Sequence, residues 1–185
     1  MIEKLIKKIS LNLDKDKIPY MIIGGQAVLL YGTPRLTRDI DITLGIDTDK
    51  FSLIEKICKN LGLKILPKNP EDFARDTKVL PAEETKLKIR VDFIFSFTFY
   101  EKQALKRIKK VLMGGYPVKF ASCEDLIIHK MFAGRAIDEE DVKNIIIKNK
   151  SEIDFNYIKK WLSEFNKISD QKGIARRFNR LLKTL

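Results

Sequence analysis

The stretch Met21-Ile22-Ile23-Gly24-Gly25-Gln26-Ala27 constrains this chain more than any other. An apolar run ending in two glycines reads as a buried strand giving way to a helix start, where free backbone N–H groups can receive a phosphate. The helix, Gln26 to Tyr31, closes at Gly32, and Thr33-Pro34 turns the chain back. Asp39-Ile40-Asp41-Ile42 then reads as a second strand with strict alternation, so both carboxylates fall on one face and both isoleucines on the other. Alone, a glycine pair marks a turn, and an acid-x-acid triplet is polar punctuation before a loop. Together they ask for a cation. Neighbouring carboxylates repel unless one sits between them, and Mg²⁺ is held by one or two carboxylates plus the phosphates of a substrate. The combination points to a metal–nucleotide site.

Gly24-Gly25 followed by Arg35-x-Thr37-x-Asp39-Ile40-Asp41 resembles the signature of the DNA polymerase β-type nucleotidyltransferase superfamily. Among its branches, the R-x-T-x-D-I-D run is most similar to AbiEii-type toxin nucleotidyltransferases and their small uncharacterised relatives. The resemblance spans roughly residues 20 to 145. It implies an α/β fold, a small mixed β-sheet with helices on it, the site along one edge, and a helical C-terminal lobe. It also implies that Asp39 and Asp41 hold Mg²⁺ or Mn²⁺, that an NTP is the substrate, and that Gly24, Gly25, Arg35 and Thr37 lie at the nucleotide.

Length and composition agree with one such core plus a lobe: 185 residues, 44% of them hydrophobic. The expected boundaries are 1–121 for the core and 122–185 for a lobe packed on it. No segment approaches the roughly 18 apolar residues of a membrane span, and Met1-Ile2-Glu3-Lys4 lacks the order of a secretory signal. A cytoplasmic protein without membrane contact is expected. Cys58 and Cys123 match no metal or redox spacing and read as reduced thiols. The net charge of +11 favours a polyanionic partner, nucleic acid first, although the lysines are spread along the chain rather than gathered.

The first helix is amphipathic through Ile2, Leu5, Ile6, Ile9 and Leu13. Asp47 or Thr48 caps another through Leu53, Ile54, Ile57 and Leu61, ended by Gly62. Lys64 to Glu84 has no steady period and reads as short strands and loops. Leu87 to Phe95 is a β-branched and aromatic strand interrupted by Asp92, with Arg90 and Ile94 on the same face. Asp92 either pairs with Arg90 or, as the resemblance implies, is the third carboxylate that completes the metal site and activates the attacking hydroxyl. A short helix around Gln103 to Ile108 and a hairpin turning at Gly114-Gly115 follow.

Ser122 to Asp125 has capping-box spacing and opens a helix whose apolar face includes Lys130. That lysine either snorkels outwards or points into the cleft and neutralises a phosphate. His129 reads as structural. In the next helix Asp138 and Asp141 lie on the apolar side, which asks for a cationic partner such as Arg135 or Lys130. The run Lys130-x-x-Ala133-x-Arg135-x-x-Asp138-x-x-Asp141 is similar to later AbiEii-type motifs, which implies nucleotide binding by Lys130 and Asp138. Two amphipathic helices end the chain, one through Ile158, Trp161, Leu162, Phe165 and Ile168, the other through Ile174, Phe178, Leu181 and Leu185. The second carries Lys172, Arg176, Arg180 and Lys183 opposite its apolar stripe, with no acid interleaved. The expected reaction is transfer of a nucleoside monophosphate from an NTP to a hydroxyl, first of an RNA end. The alternatives are nucleotidylation of a partner protein in a toxin–antitoxin-like system, modification of a small-molecule drug, and a non-catalytic nucleotide-binding module.

Overall fold

The computed structural model describes residues 1–96, 98–167 and 172–185. It divides into two compact units: Met1–Gln26 with Leu36–Ala121, and Ala27–Arg35 with Ser122–Leu185.

The first unit holds a mixed sheet, seven-stranded among the described residues, in the order β3-β4-β5-β2-β1-β7-β6. Its strands are β1 (Tyr20–Ile23), β2 (Asp39–Leu44), β3 (Lys64–Ile65), β4 (Val79–Glu84), β5 (Ile89–Phe95), β6 (Lys109–Met113) and β7 (Tyr116–Phe120). β1 runs antiparallel to β2 and parallel to β7, while β2 runs parallel to β5. One face is closed by alternation: Ile40, Ile42, Leu80, Ala82, Val91 and Phe93 are all buried. α1 (Ile2–Lys15) buries Leu5, Ile6, Ile9 and Leu13 and packs on α3 (Phe51–Leu61) and β7. As expected, Asp47 caps the turn before α3, with its side chain accepting from the Thr48 N–H, and Gly62 ends α3 in the left-handed conformation.

Three expectations need correction. A helix, α4 (Pro70–Thr77), stands inside the stretch read as strands and loops; Pro70 at its first turn and Glu71-Asp72 behind it are an N-terminal signal in a helix too short to show a period. The helix placed around Gln103 to Ile108 is α5, at Phe99–Ala104, where the Thr98 side chain accepts from the Glu101 N–H. The helix after β1, α2 (Gly24–Tyr31), begins at the glycines rather than after them.

The second unit contains the end of α2 together with α6 (Cys123–Ala133), α7 (Ala136–Asn149), α8 (Phe155–Phe165) and α9 (Ile174–Leu182). Ser122 caps α6, as its spacing requires, accepting from the Asp125 N–H at 3.1 Å. The end of α2 is satisfied from α7: Lys148 donates to the Gly32 carbonyl and Asn149 to that of Tyr31, both at 2.8 Å. α8 buries Ile158, Trp161 and Leu162, while Ile168 lies outside the described residues. α9 buries Ile174, Phe178 and Leu181, but Leu185 is exposed beyond its end.

Candidate active site

Asp39 and Asp41 do share one face of β2, and the parallel register with β5 sets Asp39 beside Arg90 and Asp41 beside Asp92. Three acids and one base thus occupy adjacent positions on two strands. These two strands lie in the middle of the sheet order. Asp92 is bound by Arg90, whose Nε donates to Oδ1 at 2.8 Å and to Oδ2 at 3.1 Å. The guanidinium pKa is raised, first by that hydrogen bond and further by the charges of Asp92, Asp39 and Asp41. The pairing with Arg90 thus exists, and Asp92 is the register neighbour of Asp41.

The glycines are explained by what they leave room for. Gly24 has φ +62°, and a Cβ on it would come 1.8 Å from Asp41 Oδ2. A Cβ on Gly25 would come 2.4 Å from Thr37 Oγ1. So the motif's glycines, its threonine and its second aspartate interlock. Gln26, which the sequence reading passed over, is buried and donates to the Asp39 carbonyl at 3.2 Å. A lone amide in an otherwise apolar helix was its signal.

Oxygen donors in this arrangement suit Mg²⁺, which needs one or two carboxylates when a substrate supplies the rest, and Asp39 and Asp41 provide those two. Among the described residues, no group of three or more His, Cys, Asp or Glu side chains is gathered closely enough to hold a metal by itself. The donor chemistry fits a metal that arrives with its nucleotide.

Lys130, Asp138 and Arg35 come together elsewhere, in the second unit. Lys130 is buried, and its ammonium donates to Asp138 Oδ1 and Asp141 Oδ2, each at 2.7 Å. Arg135 donates to Asp138 at 2.6 and 3.1 Å, and Arg35 grips Asp141 at 3.2 and 3.1 Å. Burial would push both carboxyls up, but the hydrogen bonds from Arg135 and Lys130 hold Asp138 below its usual range, and those from Arg35 and Lys130 do the same for Asp141. The inward acids thus find both cations the sequence suggested, and a third, Arg35, that it did not pair with them. Lys130 neither snorkels nor stands open to a cleft.

The fold has relatives among solved structures. ANT(2'')-Ia, described as an antibiotic-resistance factor, matches with a TM-score of 0.63 at 18% identity, over 91% of this chain and 95% of that one. An antigenic nucleotidyltransferase-like protein from Paracoccidioides brasiliensis matches with a TM-score of 0.57 at 17% identity, over 94% of this chain and 91% of that one. JHP933 from Helicobacter pylori matches with a TM-score of 0.51 at 18% identity, over 99% of this chain and 82% of that one. No protein of curated function matches the sequence. Residues 1–183 match the family DUF6036, described as a nucleotidyltransferase of unknown function, and with the glycine turn, the paired aspartates and the mixed sheet in place, this chain belongs to that nucleotidyltransferase family.

Proposed function

We propose that this protein moves a nucleoside monophosphate from a metal-bound NTP to a hydroxyl at the end of an RNA. The observation carrying the reading is the register that sets Asp39 and Asp41 beside Asp92, with Gly24 cut back to admit the Asp41 carboxylate. Asp39 and Asp41 would hold Mg²⁺ or Mn²⁺, which supplies charge neutralisation at the phosphates. Asp92, released by Arg90, takes the proton of the attacking hydroxyl. That oxygen bonds to the α-phosphorus while the bond to the bridging oxygen breaks, and pyrophosphate leaves. The Gly24 and Gly25 turn receives the phosphates, with Thr37 packed beside it. Within the second unit Arg35 is held by Asp141, which also accepts from Lys130, while Asp138 is shared by Lys130 and Arg135.

Two features support RNA as the acceptor. The chain carries +11, and Arg176 and Arg180 of α9 and Lys183 just after it stand exposed, lining a groove of about 540 Å³ together with Arg177. Changing Arg176, Arg180 and Lys183 to Gln should flatten the dependence of log affinity on log salt by up to about two units for single-stranded RNA and leave NTP binding unaltered. The kinship with AbiEii-type toxin enzymes belongs to this proposal too, and with it the modification of a partner protein.

The test is incubation with labelled NTPs, Mg²⁺, total RNA, cell lysate and hydroxylated small molecules. The last are included because ANT(2'')-Ia was also solved with adenylyl-2''-tobramycin. RNA should take up label. Asp39→Asn and Asp41→Asn should each lower uptake at least about a hundredfold, roughly 3 kcal/mol of transition-state stabilisation. Label in protein or small molecules alone would move the acceptor, and label nowhere would leave a binding module.

A further inference from the structure

β4 carries a proline inside the sheet. The Pro81 carbonyl accepts from the Leu66 N–H at 3.0 Å, so the side of this residue that lacks a donor faces β3. Pairing with β5 therefore runs unbroken from Val79 opposite Ile94 to Glu84 opposite Ile89, whereas β3 stops after Ile65 and the chain leaves the sheet. The space it leaves is an open cavity of about 570 Å³, within the range of ligand pockets, lined by Leu66, Lys68, Asn69, Phe73, Pro81 and Arg90 among others. Leu66 and Phe73 are 41% and 40% exposed there, large apolar side chains with no core duty to explain them. Asp72 and Asp76 also line the cavity, and the charge of Asp72 is met by Arg75 at 3.2 Å.

The position of the cavity matters as much as its lining. Pro81 is the register partner of Asp92, on the same face of the sheet. In strand order, that face presents Pro81 and the cavity, then Arg90 and Asp92, then Asp39 and Asp41, then the glycine turn after β1. In-line displacement needs the attacking and leaving oxygens on opposite sides of the phosphorus. With the leaving phosphates on the glycine turn, the attacking hydroxyl must come from the β4 side.

We infer that this cavity is the acceptor subsite and takes the terminal nucleoside of a single-stranded RNA, its base stacked on Phe73 and its hydroxyl turned to Asp92. The inference rests on the nucleotidyltransferase reading above. A flat base suits an exposed aromatic ring flanked by proline, the Asn69 amide offers both a donor and an acceptor to a base edge, and Lys68 and Arg90 supply charge for the adjoining phosphate. Arg90, itself half-exposed, joins cavity and carboxylates.

The experiment uses the full chain and a short oligoribonucleotide ending in the fluorescent base 2-aminopurine, without NTP. Wild type should quench the terminal base. Phe73→Ala should abolish the quenching and weaken binding about 10- to 100-fold, Phe73→Tyr should restore both, and NTP affinity and unfolding midpoint should not move. Unquenched binding by wild type, or full quenching by Phe73→Ala, would overturn the subsite. If total RNA were still labelled in either case, only the subsite would fall. If neither RNA binding nor labelling occurred, the RNA reading would fall with it.

Discussion

Lys130→Met separates a buried structural lysine from a phosphate ligand, because it keeps the length and apolar stem of the side chain and deletes only its charge. Lys130 is 3% exposed, Asp138 0% and Asp141 4%. Two hydrogen bonds of 2.7 Å to ionised acceptors disappear in the variant, each worth about 1.5–3 kcal/mol. Against this, the lysine's own burial cost is recovered, and Arg135 and Arg35 still hold the other carboxylate oxygens. The net loss should be about 3 kcal/mol, the lower end for a broken buried pair. For a chain of 185 residues, that lowers the midpoint of thermal unfolding by about 6–12 °C. Trp161, the single tryptophan, lies buried in α8 of the second unit, so its fluorescence during urea unfolding reads the relevant transition. A Lys130→Met protein within about 0.5 kcal/mol of wild type would refute the network as a source of stability. If that protein also bound NTP more weakly, the ammonium would belong on a phosphate.

The same network sets an acid limit. Because Asp138 and Asp141 titrate below their unfolded value of about 3.9, their contribution is complete above that pH and is lost as pH falls through their folded values; Trp161 fluorescence should show acid unfolding below about pH 4, moved upward in Arg35→Gln. Gly24→Ala must strain a left-handed backbone and displace the Asp41 carboxylate, so transfer should fall at least about tenfold with a stability loss of about 1 kcal/mol. Gly25→Ala meets the Thr37 side chain first, and Thr37→Gly in the same chain should restore its folding; failure to do so would mean that the glycine is needed for another contact. Burial, with the charge of Glu55 adding to it, pushes the Cys58 thiol up to about 12, so a thiol reagent at pH 8 should label it only after unfolding.

Much of this protein could be read from neighbouring residues. Alternation in Asp39 to Ile42 and in the strand around Asp92 fixed which side chains share a face, and helical spacing found α1, α3 and the helices of the second unit. Those periods are local: a strand or helix imposes them whatever it packs against. α4 escaped because eight residues are too few for a period to build, although Pro70 with two acids behind it marked its start. What the sequence could not determine is which distant residues become neighbours. The register setting Asp41 beside Asp92 and the grip of Arg35 on Asp141 join residues separated by more than a quarter and more than half of the chain. The same holds for the glycines, whose need is set by the carboxylate and hydroxyl that pack against them. Such contacts are chosen by the packing of whole elements, because a buried charge is tolerated only where the fold delivers its partner.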